Sequence, residues 1–168
     1  MTNIARFKIV IVGDGGVGKT TFCQHYGLGE SLFQPTLGVD VLPVLFKDND
    51  NQVVFDVWDC AGQKQYGGQN DTYWNAMNAA IVMIDGTNKS SCNCEVVSTY
   101  VEKLRNINSS MPIILCVNKV DGIILSVDDI YNLAHEVGIN DIVYISAKTG
   151  HNIDEPFMCL SNKLVACS

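Results

Sequence analysis

Short apolar runs alternate along this chain with longer stretches of polar and mixed residues. Phe7–Val12 is rich in β-branched residues and apolar but for Lys8, the pattern of a strand covered on both faces. Ala79–Ile84, Ile113–Val117 and Ile142–Ile145 read the same way. Val39–Phe46 and Val53–Trp58 are also strand-like, and the Asp- and Asn-rich Lys47–Gln52 between them predicts a hairpin, hence an antiparallel pair. Pro43 cannot donate to a ladder and suits an edge strand. The helix-length segments are Lys19–Leu28, Cys94–Ile107, Val127–Val137 and Ile153–Leu164. In the last, Ile153, Phe157, Leu160 and Leu164 fall on one helical stripe. Strand–helix alternation predicts an α/β fold: a six-stranded, mostly parallel sheet with one antiparallel edge strand and helices on both faces. Such sheets bind ligands at the carboxyl ends of their strands.

Composition narrows this. At 168 residues the expectation is one domain, 1–168, able to bury a core without metal or disulfide. Apolar residues make up 47% and charged residues 17%, the balance of a folded chain. Acidic residues outnumber basic ones 18 to 11, for a net charge of -7. That field excludes wholesale binding to nucleic acid or an anionic membrane, yet a local nest of amides still binds phosphate. The seven cysteines are scattered, with no Cys-x-x-Cys, and Met1–Arg6 has no apolar signal region. Reduced thiols and an intracellular location, cytoplasm and/or nucleus, are expected. The ending Val165-Ala166-Cys167-Ser168 has Val where a prenylation box has Cys, and Thr2 stands where myristoylation needs Gly. No direct membrane anchor is expected.

The chemistry lies just after predicted strands. Gly13-Asp14-Gly15-Gly16-Val17-Gly18-Lys19-Thr20 fits Gly-x-x-x-x-Gly-Lys-Ser/Thr without a gap, between a strand and a helix. Its glycines allow successive N–H groups to turn onto phosphate oxygens, and the helix start adds positive potential. Lys19 can reach the β- and γ-phosphates, and the Thr20 hydroxyl can ligate Mg2+. A glycine-rich turn that binds nothing has no use for Lys19-Thr20. Asp59 closes the next strand and can hold magnesium, directly or through water. Gly62 leaves its N–H free to approach a γ-phosphate, and Gln63 carries the donor and acceptor needed to orient a water.

Asn118-Lys119-Val120-Asp121 follows another strand. The two Asp121 oxygens match the adjacent N1–H and N2–H₂ donors of guanine, which adenine lacks. The Lys119 stem can lie over the base, and Asn118 can tie this loop to the phosphate loop. Ser146-Ala147-Lys148 completes the pocket, with the Ala147 N–H toward guanine O6.

Together these residues resemble the Ras-superfamily small GTPases over essentially the whole chain, with the Ran family as the nearest look. The resemblance is carried by Gly13–Phe22, Thr36-Leu37-Gly38-Val39, Val57–Gln63, Tyr66-Gly67-Gly68, Leu115–Asp121 and Glu155-Pro156-Phe157. It implies a P-loop NTPase G domain that hydrolyses GTP to GDP and phosphate with Mg2+. The implied nucleotide contacts are Gly13 to Thr21, Thr36, Gly62, Asn118, Lys119, Asp121 and Ser146 to Lys148. Gln63, Lys19 and Thr36 are the implied catalytic set, and Thr20, Thr36 and Asp59 the metal set. Thr36 matches the threonine that closes on magnesium, and Gly15 the position that must stay free of a side chain. Expected partners are an exchange factor, a GTPase-activating protein, effectors and, from the Ran likeness, importin-type receptors, the chain itself being monomeric. Phe33 stands where the family often has Tyr, and Ser126–Asn132 is acidic where Ran is basic. A nucleotide-binding protein that does not cycle, a Rab-like trafficking GTPase and an adenine-specific P-loop kinase stay open beside this reading.

Overall fold

The computed structural model describes residues 4–27, 32–34, 39–48, 51–59 and 71–166. Within these lie seven strands and four α-helices. The strands are β1 (Ala5–Val12), β2 (Leu32–Gln34), β3 (Val39–Asp48), β4 (Asn51–Asp59), β5 (Ala79–Asp85), β6 (Ile113–Asn118) and β7 (Asp141–Tyr144). The helices are α1 (Lys19–Tyr26), α2 (Cys94–Ile107), α3 (Val127–Val137) and α4 (Glu155–Val165). The sheet order is β2-β3-β4-β1-β5-β6-β7. All pairs from β4 to β7 are parallel, while β3 runs antiparallel to β4.

The six expected strands are all present. The structure adds a seventh, the three-residue β2, which pairs antiparallel with Val39–Val41 and so takes the outer edge from β3. Pro43 lies beyond that short pairing, opposite Asp56 and exposed. The β3–β4 ladder runs on to Asp48 opposite Asn51, so the hairpin turn is shorter than Lys47–Gln52. The first helix ends at Tyr26, before the expected Leu28, and α4 starts at Glu155 rather than Ile153.

Alternation along the central strands sorts the core into two layers. Val10, Val12, Ala80, Val82 and Ile84 pack with Val97, Val101 and Leu104 of α2 and Ile130 and Leu133 of α3. Ile9, Ile11, Ile81 and Met83 pack on the opposite face with Phe22 of α1 and Phe157 and Leu160 of α4. Phe157 is fully buried and stacks on Phe22 at 5.6 Å and Phe55 at 5.2 Å between ring centroids. The parallel strands carry apolar side chains on both faces because helices cover both. Local signals agree: Ser126 Oγ accepts from Asp129 N at the start of α3, and Gly138 ends that helix at φ 75°.

Candidate functional site

Three polar strand ends and two loops meet at the carboxyl edge of the sheet. Asp59 ends β4 beside Ile11 of β1, and Asp85 at the end of β5 lies opposite Asn118 at the end of β6. The loop 13–18 leaves β1 and feeds α1. Gly16 and Gly18 take φ of 83° and 102°, conformations a β-carbon disfavours. At Gly18 a β-carbon would also lie 2.2 Å from Asn118 Nδ2, so this glycine lets the two loops touch.

The Lys19 ammonium is drawn into the curve of the loop. Its Nζ donates to Gly13 O at 2.6 Å and Asp14 O at 2.9 Å, and the residue is 6% exposed. A buried ammonium held by two carbonyls presents its charge at one fixed point. Nothing lies within 4 Å of a β-carbon built on Gly15 or Gly16, so that side of the loop is open. Thr20 and Thr21 are exposed on the first turn of α1. Tyr100 of α2 donates to Asp14 Oδ1 at 3.2 Å and steadies the loop's outer side.

The second loop is tied to the first. Asn118 is buried: its Nδ2 donates to Val17 O at 2.9 Å, while its Oδ1 accepts from Lys119 N and from Ala147 N at 2.9 Å. Lys119 adopts φ 64°, an uncommon conformation for a residue with a side chain. Its Nζ donates to Gly16 O at 2.7 Å and to Asp85 Oδ2 at 2.6 Å. Asp121 Oδ1 accepts from the buried Ser146 Oγ at 2.7 Å, and that bond holds the exposed Asp121 carboxyl below the usual carboxylate range. Lys148 is exposed beside it.

Two findings modify the expectations from sequence. The Ala147 N–H already donates to Asn118 Oδ1, so a base oxygen reaching it has to share or displace that acceptor. Asp85 belongs to the site although no motif singled it out. Burial works to raise its carboxyl, but hydrogen bonds from Lys119 and Thr87 outweigh burial and hold it lowered. Its Oδ1 accepts from Thr87 N at 2.8 Å and Thr87 Oγ1 at 2.6 Å. The signal available in sequence was positional: β4, β5 and β6 each end on Asp or Asn where the sheet opens. Thr36, Gly62 and Gln63 lie outside the described residues.

A family model described as the Ras family matches residues 8–166. The chain belongs to the Ras family. As a Ras-family protein it is a small GTPase of the P-loop class, a type of switch that works with regulators and effectors. The match runs from β1 through α4, so it includes both loops of the site.

The site's donor set fits the ligands Ras-family proteins take. An open loop with an ammonium aimed from inside suits phosphate. Thr20 and Asp59 are hard oxygen donors of the kind magnesium selects, with Asp59 at the end of β4 in register with Ile11 of β1, the strand that leads into the phosphate loop.

Proposed function

We propose that this chain is a guanine-nucleotide switch of one G domain, 1–168, that hydrolyses GTP to GDP and phosphate. The observation that carries the reading is the double bridge between its loops, Asn118 to Val17 O and Lys119 to Gly16 O. It joins the residues suited to phosphate and those suited to a base into one rigid unit.

In this reading the loop N–H groups from Gly13 to Thr21 and the Lys19 ammonium bind the phosphates. Asp121 selects guanine, with Ser146 holding its carboxylate charged, and Ala147 and Lys148 close that end. Thr20, Thr36 and Asp59 would hold magnesium, which when bound supplies positive charge to the phosphate oxygens. Gln63 orients a water in line with the γ-phosphorus, and the Gly62 N–H meets a γ-phosphate oxygen. The bond from water oxygen to phosphorus forms as the bond to the β–γ bridging oxygen breaks. Lys19 and the loop amides stabilise the charge on the phosphoryl oxygens and the departing diphosphate.

Hydrolysis should be slow unaided. The sequence contains two arginines, and both are engaged away from the site. Arg6 pairs with Asp56 at 2.7 and 2.8 Å, and Arg105 donates to Ser109 O and Met111 O. An arginine to offset transition-state charge must come from an activating protein, worth about 10³–10⁵ in rate. Single-turnover phosphate release tests the chemistry. Gln63→Leu should slow it strongly with nucleotide still bound, and equal rates for the two proteins would remove Gln63 from the mechanism.

The finer reading is Ran-like, with a role in nucleocytoplasmic transport, an exchange factor and importin-type partners. It is supported by the Tyr66-Gly67-Gly68 and Glu155-Pro156-Phe157 sequences. Monomeric state and a place in cytoplasm or nucleus belong to the same proposal. Capture of importin-type receptors by the GTP-analogue form and not the GDP form would support it. Capture by neither form would refute it.

A further inference from the structure

The last turn of α1 lies against the loop that joins β7 to α4. The Tyr26 hydroxyl is 2.7 Å from Ile153 O and 2.7 Å from Asp154 Oδ1. A hydroxyl has one proton to donate, so the two acceptors share it. The Tyr26 ring packs edge-on against Phe22 at 5.7 Å and Phe157 at 5.1 Å between centroids, which fixes the aim of the hydroxyl. Burial first, and then the Asp154 carboxylate, push the phenol up, so it stays a donor at any working pH. One residue earlier, His25 comes close to Gly150: a β-carbon there would lie 3.2 Å from His25 Cε1.

Asp154 departs from a local rule to make this contact. It stands at the N-cap of α4, where an Asp ordinarily accepts from N–H groups of its own first turn. It makes no such bond. Its carboxylate accepts instead from a residue 128 positions away in sequence. The loop behind it is closed on itself. Ser146 N donates to His151 O at 3.0 Å, and Gly150 N donates to Ser146 O at 2.8 Å. Asn152 holds φ 51°, uncommon for a residue with a side chain, and its Nδ2 donates to Tyr144 O at 3.2 Å. A hold on one end of so bonded a loop is felt at the other. Tyr26 holds one end. At the other, Ser146 Oγ donates to Asp121 Oδ1 and Ala147 N to Asn118 Oδ1.

We propose, resting on the guanine-nucleotide reading above, that Tyr26 is a positioning residue for base recognition. It clamps the loop between β7 and α4 to α1 and so sets Ser146 against the Asp121 carboxylate. Tyr26 acts through Ser146 and does not itself touch the base. The same helix carries Lys19 and Thr20 at its start, so the clamp gives the phosphate and base residues a further connection besides Asn118 and Lys119. Loss of the hydroxyl frees Asp121 to shift, and the base that uses both of its oxygens is affected most. Guanine presents two donors there, N1–H and N2–H₂, whereas hypoxanthine presents N1–H alone.

The experiment measures release of ribose-labelled GDP and inosine diphosphate (IDP) from the full chain with magnesium. Wild type, Tyr26→Phe, Asp154→Ala and the double variant are compared. Tyr26→Phe keeps the ring and should quicken GDP release about tenfold, the scale of one lost hydrogen bond. IDP release should quicken less, roughly threefold, so the preference for guanine over hypoxanthine falls. A general loosening of the fold would speed both alike. Asp154→Ala changes an exposed side chain and leaves Ile153 O in place, so GDP release should quicken roughly threefold. In the double variant it should add nothing to Tyr26→Phe, because its partner is gone. Wild-type GDP release in both single variants, equal acceleration of GDP and IDP, or additive effects in the double variant would overturn the proposal and leave the nucleotide reading intact. Wild type that holds labelled ADP as tightly as GDP would overturn both.

Discussion

Lys119 and Asp85 show how single residues set the site. Lys119 holds a left-handed backbone conformation that costs on the order of 1 kcal/mol or more. Two short bonds from its ammonium, to Gly16 O and to Asp85 Oδ2, offset that cost. Asp85 is the anchor: it is buried and takes two further bonds from Thr87. Asp85→Asn keeps an acceptor for Thr87 but removes the charge facing Lys119. Release of a fluorescent guanine nucleotide should then quicken by about tenfold, the usual worth of one charge-assisted hydrogen bond. An unchanged release rate would mean that Lys119 needs no anchor. The pH dependence has a definite sign. The folded-state carboxyl is lowered, so its contribution to stability is present above the ordinary value of about 3.9 and fades as pH falls through the folded value. Between neutrality and pH 5 the wild-type pair should hold. Asp85 went unmarked in sequence because a lone Asp after an apolar run reads as the end of a strand. Only its register opposite Asn118 reveals its role.

At the scale of elements, the fold was legible where the pattern was long or strongly β-branched. Both α2 and α3 occupy their expected spans, and the six longer strands differ from expectation by only a few end residues. At the carboxyl ends of β4, β5 and β6 the added residues are polar, Asp59, Asp85 and Asn118, which hydrophobic patterning alone leaves outside the strands. β2 was not legible because three residues are too few to show an alternation, and its pairing is set by β3. The stripe Ile153, Phe157, Leu160 and Leu164 correctly marked the buried side of α4, although Ile153 precedes the helix itself. Phe157 is the centre of that packing, against Phe22 of α1 and Phe55 of β4. Phe157→Ala should cost about 3–5 kcal/mol. Thermal unfolding should show this as a fall in Tm on the order of 10 °C. A loss of only a degree or two would show that the two helices hold that face without it.

For the molecule as a whole, the two core layers fix the sheet, and the sheet fixes where its strand ends converge. That convergence brings Gly13–Thr21, Asn118–Asp121 and Ser146–Lys148 to one edge from three distant parts of the chain. The net charge of -7 is compatible with an anionic ligand because the positive groups are local: Lys19 inside its loop and Lys119 across it. The central claim, a guanine-selective nucleotide site, is tested most directly by competition. GTP, XTP and ATP would be titrated against a fluorescent guanosine diphosphate bound to wild type and to Asp121→Asn, with magnesium present. Wild type should prefer GTP to ATP by about 10³-fold or more, since adenine leaves the Asp121 acceptors unmatched. In the variant the preference should move toward XTP. Displacement by ATP as effective as by GTP, or a base preference unmoved by the substitution, would contradict the account.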